Sequence, residues 1–145
     1  MPKFKFKLDP ALRWRSAVIT QEESRLEELK REIEAVEARK QQLEEERRAA
    51  EALLRQEGAV SGSVLSSFSA YRLSSQNVGN QLDESAHALN QKIEAQSVAL
   101  RNARRNFQLL ERLRDHQAEV WRTETDRQFE GEAGDSFLAG WSRRK

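Results

Sequence analysis

Apolar residues fall along this chain in a seam that runs, breaks once and runs again. From Leu8, the positions Leu12, Arg15, Ile19, Glu22, Leu26, Leu29, Ile33, Val36, Lys40, Leu43, Arg47, Ala50 and Leu54 alternate four-residue and three-residue steps. That spacing is the signature of a coiled-coil stripe. A second register follows the break: Phe68, Ser75, Leu82, Ala86, Leu89, Ile93, Gln96, Leu100, Ala103, Phe107, Leu110, Arg114, Gln117 and Trp121. Two long helices separated by one short break predict an all-α fold, a long two-helix antiparallel coiled-coil hairpin forming a single domain over 1–145.

Local signals set the expected boundaries. Asp9 followed by Pro10 marks a helix start, with Asp9 as N-cap and Pro10 at the first helical position. Helix 1 is expected over about 9–57, roughly 70 Å long at 1.5 Å per residue. The stretch GAVSGSVLSS, with two glycines and four serines, predicts a turn over about 58–67. Helix 2 is expected over about 68–130, weakest where Asn77, Gly79 and Asn80 lower helix propensity, and Gly131, Gly134 and Gly140 predict a flexible tail over 131–145. A turn centred near residue 62 would place Ile33 against Ile93 and Leu89, Leu26 against Leu100, and Ile19 against Phe107.

A second row, one position before the seam, is apolar only toward the ends. Ala11, Val18 and Leu53 carry it on the first arm, and Val64, Tyr71, Val78, Leu113 and Val120 on the second. In between, the row reads Arg25, Glu32, Arg39 and Glu46, opposite Ser85, Lys92, Ala99 and Asn106. The wide ends serve either end packing or dimerisation, or else two partner-docking patches, one near the hairpin tip and one near the termini. Polar residues inside the seam, Arg15, Glu22, Lys40 and Arg47, fix register at some cost in stability, or leave the seam open to a third helix or a partner ring.

Composition narrows the chemistry. There is no cysteine, so disulfides, thiolate zinc sites and cysteine nucleophiles are excluded and a cytoplasmic location is expected. No apolar run approaches the length of a membrane span, and the N-terminus lacks the apolar core of a signal peptide, which predicts a soluble chain. His87 and His116 lie far apart on polar stretches, the glycines near residue 60 precede no phosphate-binding lysine, and the many carboxylates follow the charged surface of a coiled coil. A non-enzyme without cofactor or metal is therefore expected.

Charge is balanced, with 25 Lys and Arg against 24 Asp and Glu, so no global field favours nucleic acid. The densest basic cluster is Arg101, Arg104, Arg105, Arg112 and Arg114. It reads as a solvated face paired with glutamates of the first arm, or as a site for an acidic protein partner; no aromatic residues interleave it as nucleic-acid stacking would require. Lys3, Phe4, Lys5, Phe6 and Lys7 alternate in a short arm, enough at most for weak peripheral contact with an anionic membrane.

The opening KFKFKLDPALRWR, followed by a Glu-rich helix with Glu22 and Leu29, resembles the N-terminus of the flagellar export protein FliJ family. The closing NARRNFQLLERLRDHQAEVWRTETDRQ and GDSFLAGW resemble that family's C-terminal pattern. The resemblance implies an antiparallel coiled coil similar to the central stalk of rotary ATPases. Such a stalk sits in the export ATPase hexamer, contacts the cytoplasmic domain of the export-gate membrane protein and escorts export chaperones at the flagellar base. Carried over by position, Leu12 to Ile19 (including Val18) and Phe107 to Val120 (including Leu113) would enter the ATPase ring. Phe68, Tyr71, Val78 and Leu82 would form the gate-binding surface. The alternatives are a generic coiled coil that self-associates through its wide ends, and the equivalent stalk of a needle-type secretion system.

Overall fold

In a computed structural model the chain is all-α: two long helices packed antiparallel as a helical hairpin, with no strand among the described residues, which are 3–56, 58 and 61–143. Helix α1 is Asp9–Gln56 and helix α2 is Gly62–Arg143.

The start of α1 lies one residue from the expected cap. The Leu8 carbonyl accepts the first helical bond, from the Leu12 N–H at 3.0 Å, so Asp9 is already helical. Its carboxylate instead reaches Arg13 at 3.1 Å within the positive first turn. Pro10 sits where a missing N–H costs nothing. At the other end Gly58 takes φ 67°, the left-handed conformation that stops a helix and that side-chain-bearing residues resist. Glu57, expected in helix 1, and Ala59 and Val60, expected in the turn, lie outside the described residues.

The expected turn over 58–67 is too long, because α2 begins at Gly62 rather than near Phe68. Its serines act in the helix. Ser61 is the N-cap: its carbonyl accepts from the Leu65 N–H at 3.1 Å and its hydroxyl from the Val64 N–H at 3.4 Å. The Ser67 hydroxyl donates to the Ser63 carbonyl at 3.0 Å, one turn back. The stretch expected as a flexible tail is helical, through Gly131, Gly134 and Gly140 as far as Arg143. Each glycine costs the helix up to about 1 kcal/mol, yet no proline interrupts, and Glu132, Ala133, Leu138 and Ala139 between them are good helix formers. Arg144 and Lys145, the end of that expected tail, lie outside the described residues.

The chain divides into two compact units. One comprises residues 21–100. Within it Leu29, at 2% exposure, Ala86 and Leu100 form the core, and the seam positions Leu26, Ile33, Val36, Leu43, Leu82, Leu89 and Ile93 are half-buried. Its pairing contacts are Lys40 with Asp83 at 2.7 Å, and Glu22 with Gln96, whose amide donates to both the carboxylate and the carbonyl of Glu22. Glu22 thus meets a residue about two helical turns nearer the connection than a turn centred on residue 62 implies. Lys40 with Asp83, nearer the connection, still fits a turn centred near residue 62.

The other unit comprises residues 1–20 and 101–145. Phe6, Leu12 and Ala103 are buried in it, with Ile19, Phe107 and Leu110 half-buried. The Phe4 ring lies 6.0 Å from that of Trp121 at 51°, so the alternating arm before α1 turns its phenylalanines inward and leaves Lys3, Lys5 and Lys7 exposed. Here the seam of α2 steps aside by one position: Gln117 is exposed and Ala118 takes its place. From Asp126 to Arg143 every residue of α2 is exposed.

Candidate functional site

The expected wide ends rest on the row that flanks the seam. Had it served packing within the hairpin, its apolar residues would be buried. Ala11, Val18 and Val78 are half-buried, but Leu53 is 63% exposed, and Val64, Tyr71, Leu113 and Val120 are exposed as well.

In the unit of residues 21–100, the exposed large apolar residues other than Val98 lie near the connection in sequence. Leu53 lies on α1, and Val64, Leu65, Tyr71 and Leu73 follow on the first turns of α2. The Phe68 ring is 6.4 Å from Tyr71, half-buried beneath it. Helical spacing puts Val64, Phe68 and Tyr71 on one face, because steps of four and three residues return to the same side. Val78 and Leu82 continue that direction as half-buried residues. On that face Val64 and Tyr71 are exposed, with Phe68 half-buried between them.

Beside this patch the two helices part into a polar cleft of about 450 Å³. Its cause is the seam chemistry. On α2 the core positions are Ser75, buried at 8% exposure, and the small Gly79, where a Cβ would meet only the Leu43 side chain at 3.8 Å. On α1 the facing seam residues are Lys40 and Arg47, whose long side chains run along the groove with Leu43 between them. Asp83 holds Lys40 at 2.7 Å and raises its pKa above the ordinary lysine value, chiefly through that hydrogen bond. Glu44 holds Arg47 at 2.6 Å and Arg48 at 3.3 Å. The Arg47 hydrogen bond keeps the Glu44 carboxyl below its usual range. Arg72, Gln76 and Asn80 complete the lining, and the buried Nε of Arg47 has no hydrogen-bond partner.

In the other unit, Leu12 is buried and belongs to the core, Val18 is half-buried, and Leu113 and Val120 face solvent. Val120 lines a shallow groove with His116, Glu119 and Arg127. Arg101, Arg104, Arg105 and Arg112 are exposed, while Arg114 is half-buried and reaches Asp115 at 3.4 Å. Further out on α2, Phe129, Phe137, Leu138 and Trp141 are between 56% and 72% exposed.

Three features escaped the sequence reading. The polar seam positions signalled an opening, but not that Ser75 and Gly79 would turn it into a cleft. The exposed Phe137 and Leu138 fall in the stretch read as a flexible tail because of its glycines, and Phe129 in the last turn expected of helix 2, with nothing to mark any of them as exposed on a continuing helix. The arm's inward phenylalanines had a signal, the strict alternation with lysine, but no indication of the surface they would cover. Among the described residues no group of three or more His, Cys, Asp or Glu could hold a metal ion, and no helix is long and apolar enough to cross a membrane. Compared with known proteins, the chain matches no family model, no curated sequence and no solved structure.

Proposed function

We propose that the chain is a non-enzymatic stalk and adaptor of the bacterial flagellar type III protein export apparatus. It binds the export ATPase hexamer and the cytoplasmic domain of the export-gate membrane protein, and it escorts export chaperones. It works in the cytoplasm, peripherally associated with the inner membrane at the flagellar base. The resemblance of both termini to the FliJ family supplies the system. The observation that carries an adaptor reading is the separation of seam from flank: the seam from Leu12 to Leu54 is buried or half-buried while Tyr71, Val64 and Leu53 in the flanking row stay exposed. A helix pair built only for its own stability has no use for such a row.

On this reading Phe68, Tyr71, Val78 and Leu82 meet the gate protein, and the residues around Val18, Leu113 and Val120, with Arg101, Arg104 and Arg105, meet the ATPase ring. Adding the purified chain to an export ATPase should raise its turnover or ring formation, while the chain alone hydrolyses no nucleotide. Nucleotide hydrolysis by the isolated chain would contradict the non-enzyme reading. Absence of any effect on the ATPase would contradict the stalk.

A second reading, a coiled coil that self-associates, is favoured by exposed Phe129, Phe137 and Leu138 on one helix end. Sedimentation at micromolar concentration tests this second reading, which a monomer would contradict.

A further inference from the structure

The even charge of the whole chain conceals an uneven one. Residues 1–20 and 101–145, one compact unit, hold 15 Lys and Arg against 9 Asp and Glu, while residues 21–100 hold 10 against 15. Such asymmetry favours an anionic surface as the partner of the cationic unit, whose field acts over a Debye length of about 8 Å at physiological salt. Its cations include Lys3, Lys5 and Lys7, exposed on the arm whose phenylalanines turn inward. The arm therefore offers charge and no apolar side chain to insert.

Apolar side chains come instead from the far end of α2, in the same unit. Phe129, Ala133, Phe137 and Trp141 follow four-residue steps, and Leu138 stands beside the last two, so they share one half of the helix surface. Phe129, Phe137, Leu138 and Trp141 are all more than half exposed. Helical spacing puts Glu132, Asp135, Ser136, Ser142 and Arg143 on the other half, and Glu130 is the one charge of 129–143 within the apolar half. From Ser136 onward the sequence has no carboxylate side chain, and Arg143, Arg144 and Lys145 come soon after Trp141. Aromatic residues on one helix face, next to cations and clear of carboxylates, are what an interfacial helix needs: the rings enter the headgroup boundary while the cations meet lipid phosphates. Because α2 is already helical as far as Arg143, binding does not have to order this segment. Nucleic acid would use the same cations, but the rings and Leu138 form one apolar face rather than a row of separate stacking platforms. A second copy would bring another net-positive unit against the first.

We propose that the end of α2, from Phe129 on, is a binding site for an anionic lipid surface. The segment is too short to span a bilayer and lies along its surface. Phe137, Leu138 and Trp141 enter the headgroup boundary, and Arg143 pairs with lipid phosphate, with Arg144 and Lys145 adding positive charge. Glu130 keeps the Phe129 end shallower. The net positive charge of the unit, the arm's lysines included, draws the chain to the surface. The proposal deepens the peripheral membrane association of the adaptor reading and rests on that reading for which membrane is met.

The test is flotation of the full chain with vesicles of phosphatidylcholine and phosphatidylglycerol, with vesicles of phosphatidylcholine alone and polyuridylate RNA as the other probes. The chain is expected to bind the anionic vesicles at least tenfold more tightly than the neutral ones, and more weakly as salt rises. Phe137→Ala with Leu138→Ala, both at exposed positions, is expected to keep the wild-type melting curve and to lose at least tenfold in affinity for the anionic vesicles. Val98→Ala with Leu109→Ala, also exposed but outside the segment, leaves that affinity unchanged. In a chain carrying Trp14→Phe and Trp121→Phe, the remaining Trp141 is expected to shift its emission to the blue on anionic vesicles. Absence of vesicle binding, equal binding to both kinds of vesicle, an equal loss in both double variants, or an unshifted Trp141 overturns the site. Binding to polyuridylate without binding to vesicles overturns it in favour of nucleic acid. A dimer in sedimentation that Phe137→Ala with Leu138→Ala abolishes, again without vesicle binding, overturns it in favour of a second copy. Should the anionic vesicles bind while the export ATPase and the gate domain show no response, the lipid site stands and the export reading falls; the reverse result sinks the lipid site and leaves the adaptor standing.

Discussion

Two stretches of the same helix pair, around Leu29 and around Ser75 and Gly79, keep the same heptad spacing and pack differently. At Leu29 a large apolar side chain is almost wholly buried, at 2% exposure, and the seam closes. At Ser75 and Gly79 small residues face Lys40 and Arg47, and the seam opens into a polar cleft. Spacing therefore decides which residues face the partner helix, while side-chain volume and polarity decide whether that face seals. The sealed stretch is where stability resides. The open one gives up packing and gains hydrogen-bonding groups that reach solvent.

The largest effect should come from breaking the sealed stretch. Leu29→Asp places an unpaired charge where no hydrogen-bond donor or water reaches it, at a cost on the order of 3–5 kcal/mol. Two packed helices have little stability in reserve, so circular dichroism should show loss of helicity or a collapse of the melting temperature. An unchanged melt would mean that the Leu29 layer does not hold the pair together.

A smaller and opposite change is expected in the open stretch. Gly79→Ala should stabilise by up to about 1 kcal/mol, because it removes the glycine's backbone-entropy cost in a helix interior. The added methyl meets Leu43 at an ordinary 3.8 Å, so no clash offsets the gain. A raised melting temperature checks this, and a lowered one would mean that the two helices need to come closer there than the structure has them. The contrasting glycine is Gly58, where φ is 67°: Gly58→Ala should lower stability by about 1 kcal/mol.

The smallest effect concerns the ion pairs of the cleft. Glu44 has its pKa lowered by Arg47, so its contribution is present above the ordinary carboxylate range and is lost as pH falls through the depressed value. Lys40 has its pKa raised by Asp83, so its contribution is present below the ordinary lysine range and is lost as pH rises through the raised value. Melting temperature should therefore stay flat between about pH 5 and 9 and fall slightly outside it. Glu44→Gln should flatten the acid limb alone.

These contrasts show what was legible in the sequence. Every seam position from Leu12 to Leu54 is buried or half-buried, because heptad spacing and helix geometry leave no other face to present. The start of α2 was not legible. Serines read as turn residues until their hydroxyls find helix carbonyls, as Ser67 does with Ser63, and composition cannot say which occurs. Nor was it legible that the flanking row would remain exposed. Leu53 and Tyr71 have the same spacing whether another helix covers them or not, and only the crossing of the two helices settles it. The cleft depended on the volumes of two facing residues, which a one-dimensional pattern does not pair.

The central claim is that the apolar row beside the seam serves a partner and not the hairpin. The direct measurement is calorimetric binding of the export-gate cytoplasmic domain to the wild-type chain and to the double variant Val64→Ala, Tyr71→Ala, with melting curves for both. Because both side chains are exposed, the account predicts nearly unchanged melting and at least tenfold weaker binding, about 1.4 kcal/mol. A variant that melts much earlier and binds normally would contradict it, since the row would then be packing and not a docking surface.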